Sequence, residues 1–311
     1  MRRPSAPPPG PSARSTRRGR LSARSSRWVV AAGVLALWAA AGAPAAPPEP
    51  GIRPGSIIRW AAAETDACGL DGLRFPALNE ACYYPIDLLR PEGNVELVRW
   101  SGEHRETATV RVSVSDYPIQ RLELPRHLVE LTAEDRARVN RENREIARLW
   151  GRTGERQFGL PLSPPLDPLP QGGRFGVRRI INGVARGPHS GADFGASSGV
   201  PVLAVADGEV ALVGEHFFGG RSVFLDHGDG LITMYMHLSE VDVTTGEHMS
   251  AGQRIGAVGA TGRAQGPHLH FGVRWHGARV DPMSLLGDPT RLPEVHQVSR
   301  PVPRGGRRPA S

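Results

Sequence analysis

Apolar and polar residues alternate along three short stretches in the first half of the chain: VELVRW at 95–100, TATVRVSV at 107–114 and QRLEL at 120–124. A period of two puts successive side chains on opposite faces of a pleated strand, so these stretches predict a half-buried antiparallel sheet in a small β domain at 55–125. The pattern then changes. Thr132 precedes a polar segment with apolar residues only at Val139, Ile146 and Leu149, which predicts a connecting helix over 132–150 with Thr132 as its N-cap. Residues 151–172 follow as a Pro-rich linker, five prolines falling between 158 and 172. From 173 to 288 the chain is dense in Gly and Val, with runs such as PVLAVADGEVALV (201–213), RSVFLDHG (221–228) and LITMYMHL (231–238) broken by turns every eight to twelve residues. Short strands at that spacing predict a compact all-β sandwich or barrel rather than βαβ units. The fold class expected is mainly β, as a small N-terminal β domain, a connecting helix and a compact all-β second domain.

The two ends carry a different composition. Residues 1–46 hold an Arg-rich, Ser/Pro-rich stretch, then the fourteen-residue apolar run WVVAAGVLALWAAA from Trp28, then small residues. That order is a signal peptide, with cleavage after Ala41 or Ala45, or an N-terminal anchor if the segment is retained. Export to the periplasm or cell envelope is the expectation. Residues 289–311 include RPVPRGGRRP and too few apolar side chains to bury, which predicts a disordered basic tail. Net charge is +7, but eight arginines lie in the first 27 residues and five in the last 21. The body between them carries 25 arginines against 30 acids, so no nucleic-acid partner is expected. Lysine is absent, which excludes Schiff-base chemistry. Cys68 and Cys82 lack C-x-x-C spacing, and in an exported protein they are expected to pair.

Two motifs carry chemistry. In PHSGADFG, His189 and Asp193 stand four apart in a segment too rich in Gly and Pro for a helix, which reads as a loop entering a strand. In GPHLHFGV, alternation puts His268 and His270 on one strand face, with Leu269 and Phe271 on the other. Two imidazoles and a carboxylate fill three positions on Zn²⁺ and leave a fourth for water, the ligand count of a catalytic centre. Alone, either motif has a plain alternative, a capping Asp or a satisfied strand His; together they converge on a site. His237 in YMHLS is placed by the same period on the face of Tyr235, opposite Met236 and Leu238. With no Glu base nearby, an imidazole is the suitable proton carrier near neutral pH. His216 and His227 read as structural, and His248 and His276 as solvated turn residues.

These residues resemble a lysostaphin-type (LytM-like) zinc metallopeptidase, a family of peptidoglycan endopeptidases. The resemblance covers about 175–286 and rests on FGVRR, RGPHSGADFGA, GVPVLAVADGEV, DHGDGLITMYMHLS, GQRIGAVGATG and GPHLHFGV in family order. One departure is Ser197-Ser198-Gly199, where the family often carries a small-Pro pair. The resemblance implies that 173–288 is a LytM-like catalytic domain in which His189, Asp193 and His270 bind zinc while His237 and His268 face substrate. It further implies hydrolysis of peptide cross-links in peptidoglycan, stem peptides and cross-bridges as partners, and an envelope partner or membrane anchor through the N-terminal segment. A non-catalytic LytM-like module that binds peptidoglycan or activates a partner hydrolase is the alternative, but such modules typically lose ligands that are all present here. A cupin-like barrel would want a Glu shortly after the H-x-H pair and leaves His189 and Asp193 unexplained. The first β domain is expected to regulate the site, by covering it, or to position substrate.

Overall fold

In a computed structural model, which describes residues 51–300 except 62 and 124–129, the alternating stretches form the strands of two sheet systems. The leader and the end of the basic tail lie outside the described residues. The first system contains β1 (Ile57–Ala61), β2 (Ala67–Leu70), β3 (Leu73–Pro76), β4 (Ala81–Pro85), β5 (Gly93–Ser101) and β6 (His104–Val112). β5 and β6 pair along their whole length, β2 and β3 extend that sheet, and β1 pairs with β4 alongside. Val95, Leu97, Val110 and Val112 point into a core with Ile58, Tyr84 and Ile86. Cys68 and Cys82 are joined in a disulfide at the heart of this cluster, as expected.

The third alternating stretch behaves differently. Its strand, β7 (Ile119–Leu122), does not join the antiparallel sheet; it pairs in parallel with β9 (Arg178–Ile181), and β10 (Val184–Ala185) completes a three-stranded sheet. Alternation specifies a strand and its faces but not its partner, and only the later arrival of residues 178–185 supplies one. The helix forms as predicted. α1 (Ala133–Ala147) begins at Thr132, whose hydroxyl accepts the Asp135 N–H, and a 3₁₀ turn (Arg148–Gly151) ends it. Val139 and Leu149 are buried and Ile146 packs beside them, the three positions of the narrow stripe.

The main sheet has ten strands: β8 (Gly172–Gly173), β11 (Gly191–Gly195), β12 (Pro201–Leu203), β13 (Gly208–His216), β14 (Gly220–Asp226), β15 (Leu231–Val241), β16 (His248–Met249), β17 (Arg254–Val258), β18 (His268–Trp275) and β19 (Ala278–Val280). Its central run is β13-β14-β15-β18-β11, all antiparallel. Phe194, Tyr235, Leu269 and Phe271 fill one face of this run without solvent exposure. Among the described residues no helix is long and apolar enough to cross a membrane.

Two segments expected to be loose are packed instead. Phe158, Leu162 and Leu166, set between the prolines of 151–172, insert into the main core, and the Leu162 and Ser163 amides bond the Leu285 and Val205 carbonyls. The tail expected to be disordered from 289 forms a 3₁₀ turn (Pro289–Arg291), a short helix (Val295–Val298) and β20 (Ser299–Arg300), which pairs with β6. Leu292 and Val295 are its buried anchors, and Glu294 is ion-paired to Arg59. Two apolar residues and one ion pair sufficed where overall composition argued against order.

Candidate metal centre and active site

β11 and β18 lie side by side in a register that sets Asp193 opposite His270 and Gly195 opposite His268. His189 reaches the same point from the segment entering β11, its backbone N–H bonded to the Val177 carbonyl. The result is a tight cluster. Asp193 Oδ1 lies 2.9 Å from His270 Nδ1 and 3.1 Å from His189 Nε2, and the two imidazole nitrogens are 3.0 Å apart. One ligand atom from each residue thus falls within 4.8 Å of the others, a group that could hold a metal ion. His189 Nδ1 donates to the Arg174 carbonyl at 3.0 Å, which fixes the tautomer and leaves Nε2 as the lone-pair atom facing the cluster. That carbonyl is aimed by an unusual backbone, since Arg174 has φ 73°.

Burial opposes the charge on Asp193, but hydrogen bonds and charge interactions with His189 and His270 outweigh it and hold the carboxyl far below the usual carboxylate range. Burial lowers the His270 pKa as well, which favours the neutral ring that a metal ligand must be. Gly191 makes room for that ring: a Cβ there would stand 2.6 Å from the Phe271 carbonyl oxygen and 2.7 Å from two atoms of the His270 imidazole. The sequence reading took Gly191 only as a helix breaker; its second role becomes visible once β11 is seen to lie on β18.

His268 and His237 line the same site. Their ring centroids are 4.7 Å apart, His237 is 6.0 Å from His270, and His268 Nε2 is 3.8 Å from Asp193 Oδ1. Each donates Nδ1–H to a backbone carbonyl, His237 to Thr261 at 2.9 Å and His268 to Gly266 at 2.8 Å. In the neutral ring both therefore carry the free lone pair on Nε2. Burial, aided by the neighbouring imidazoles and opposed by the Thr261 hydrogen bond, pulls the His237 pKa down to about 4, so the ring is a neutral base at physiological pH.

The face predicted for His237 was wrong, and the reason is local. Tyr235 is wholly buried on the core side, its hydroxyl bonded to Thr233 and to the Val205 N–H, while His237 sits with His268 and His270. Between Tyr235 and Leu238 the pairing of β15 with β14 slips by a residue, and His237 adopts φ 65°. A left-handed residue inside a strand breaks the two-residue period and reverses the side chain. Such a conformation costs of order 1 kcal/mol or more for a non-glycine residue and persists only where surroundings impose it. Here the His237 N–H is bonded to the Gly219 carbonyl and its ring to Thr261.

Of the other histidines, His227 is structural as read, bonded to the Asp207 carbonyl and the Thr233 hydroxyl, and His248 is exposed. His276 is not solvated. Its ring stacks on Phe75 at 4.2 Å between centroids and packs beside Trp275, a contact between distant segments that local polarity could not reveal.

Comparison with known proteins agrees with this geometry. Residues 187–282 match the family described as Peptidase family M23. A crystal structure of a chain assigned to peptidase M23 from Pseudomonas aeruginosa aligns with 75% of this chain and 94% of its own at 31% identity and a TM-score of 0.60. The chain belongs to peptidase family M23. Among curated relatives, the peptidoglycan DD-endopeptidase ShyA of Vibrio cholerae is 43% identical over 96 residues, 31% of this chain and 22% of that protein. The DD-carboxypeptidase/endopeptidase Mpg of Neisseria meningitidis serogroup B is 40% identical over 112 residues, 36% of this chain and 25% of that protein. The matched stretch thus spans about a quarter of those relatives' own length.

Proposed function

We propose that this protein is a zinc-dependent endopeptidase that hydrolyses peptide cross-links of bacterial peptidoglycan. The observation that carries the reading is the convergence of His189 Nε2, Asp193 Oδ1 and His270 Nδ1 beside two further imidazoles whose Nε2 atoms are free to take a proton. Two nitrogens and one carboxylate oxygen suit zinc, and three protein ligands leave a position open. Zinc held there would supply Lewis acidity, polarising the scissile carbonyl and making water a nucleophile near neutral pH. His237 and His268 then have the chemical work. One accepts the proton lost by the attacking water and delivers it to the leaving amine, while the other, with a proton taken up on Nε2, donates to the oxygen on which charge develops. The choice of peptidoglycan as substrate is supported by relatives named as peptidoglycan DD-endopeptidases. Action in the envelope after export is consistent with that substrate and with the Cys68–Cys82 disulfide, a bond that persists in oxidising compartments.

The test is digestion of purified peptidoglycan, with the released muropeptides identified by mass. Cleaved peptide cross-links that disappear with a chelator and return with zinc are expected, and metal analysis should find about one zinc per chain. His189→Ala and Asp193→Ala should lose zinc; His237→Ala and His268→Ala should keep it and lose roughly 10²-fold or more in turnover. Intact peptidoglycan after exposure to fully zinc-loaded protein would sink the proposal.

A further inference from the structure

The guanidinium groups of Arg174 and Arg179 lie near Asp193 of the site, and Arg263 acts electrostatically on Arg179. Arg174 Nη1 is 3.8 Å from Asp193 Oδ2, and Arg179 lies within electrostatic reach of Arg174, Asp193 and Arg263. Among the described residues Asp193 is the one carboxylate acting on Arg179, and it is already held by His189 and His270. Burial and the like charge of Arg174 lower the Arg179 pKa from its ordinary value, and Arg263 adds to that against the pull of Asp193. Its Nε is closed to solvent and has no hydrogen-bond partner among the described residues. A partly desolvated cation is costly, and an anion placed against its guanidinium would offset that cost.

The strand that carries Arg179 is firmly held. β9 is paired on one edge with β7 and on the other with β10, and the Val177 carbonyl just before it accepts the His189 N–H. The Arg179 backbone therefore keeps a fixed offset from a residue of the metal cluster. Arg178, next along the strand and on its opposite face, is exposed and belongs to the other side of this small sheet.

We propose that Arg179 is a specificity-determining residue that binds a free carboxylate of the peptide substrate next to the scissile bond, an inference that rests on the endopeptidase reading above. A guanidinium presents paired donors that match the two oxygens of a carboxylate, and a half-buried one strengthens that pairing. The carboxylate would pair with this guanidinium and add to the counter-charge of Asp193, which is already held by His189 and His270. A neutral carboxamide in the same place offers one acceptor and no charge, so it adds none of that counter-charge.

The test uses two synthetic cross-linked peptide dimers, identical except that the carboxyl group beside the scissile amide is free in one and amidated in the other. Binding of each to the zinc-loaded full chain carrying His268→Ala, which slows turnover, is measured by calorimetry. The free acid should bind roughly tenfold or more tighter than the amide. Adding Arg179→Gln should abolish that preference, Arg179→Lys should keep part of it, and Arg178→Gln should leave it whole. With His268 restored, Arg179→Gln should raise KM on the acid several-fold more than on the amide. A preference that survives Arg179→Gln, or an equal loss on both dimers, would overturn the inference even though both are cut. If neither dimer is cut by the wild type while the binding preference follows Arg179, the carboxylate site stands and the endopeptidase reading falls.

Discussion

At the scale of single residues, the site depends on two backbone features that have no side-chain chemistry of their own. Gly191 is required because the His270 ring occupies the space a Cβ would take, with a backbone oxygen on the far side that cannot swing away. Gly191→Ala should therefore displace the ring or the β11–β18 pairing, and zinc content should fall well below one per chain while the disulfide-bearing β domain stays folded. Full zinc binding by that variant would show that β18 yields more readily than its packing implies. The second feature is the left-handed conformation of His237, which turns it from the core to the site. The H-x-H pair could be placed from sequence because nothing interrupts the period between His268 and Phe271. His237 could not, because the slip is imposed by Gly219 and Thr261, residues 18 before and 24 after it.

At the scale of elements, α1 does more than connect. Glu142 accepts the Phe217 N–H at 2.9 Å and the Arg138 Nε–H at 2.7 Å, while Arg138 also bonds the Glu215 carbonyl and lies over the Phe217 ring. These contacts fix the tip of the β13–β14 hairpin, whose Gly219 carbonyl in turn holds the His237 N–H. Glu142→Ala should lower kcat several-fold with zinc content unchanged, a split that separates positioning from metal binding. An unchanged kcat would mean that the hairpin holds itself. The helix was legible from its cap and its three apolar positions, since those signals are local. The pairing of β7 with β9 and the packing of residues 158–166 were not, since each depends on a partner supplied elsewhere in the chain.

At the scale of the whole molecule, the two β systems share a core. Ile57, Leu78 and Tyr83 belong to the same cluster as Leu231, Phe271 and Trp275, and Tyr83 stacks on Trp275. This contact is at the end of β18 remote from His268, roughly 20 Å along the strand, so the junction with the disulfide-bearing sheet is made away from the site. What approaches from that half is β7, through β9. His276, stacked on Phe75 at the same junction, makes the contact sensitive to acid: burial and the charge of Arg156 pull its pKa down to about 4. Its folded-state pKa lies below the ordinary value near 6.5, so protons favour the unfolded chain. Stability is full above that value and declines as pH falls towards 4, by roughly 3 kcal/mol for this group. Thermal melts across that window should show the decline, and His276→Phe should flatten it; a melt no less steep in the variant would assign the acid sensitivity to other buried histidines.

The return of residues 299–300 to β6 has one more consequence. A strand at the edge of a sheet offers unpaired N–H and C=O groups that can recruit the same strand from another molecule. β20 covers Thr109 and Val110 on that edge, and the chain near Ile52 covers the stretch by Val112, so this end of the β6 edge is closed to other copies. A guard of this kind against self-association has a direct test. A chain ending at Asp288 should keep its zinc site but form concentration-dependent oligomers, detectable by light scattering, whereas a strictly monomeric truncated chain would show that the edge is protected by its charges alone.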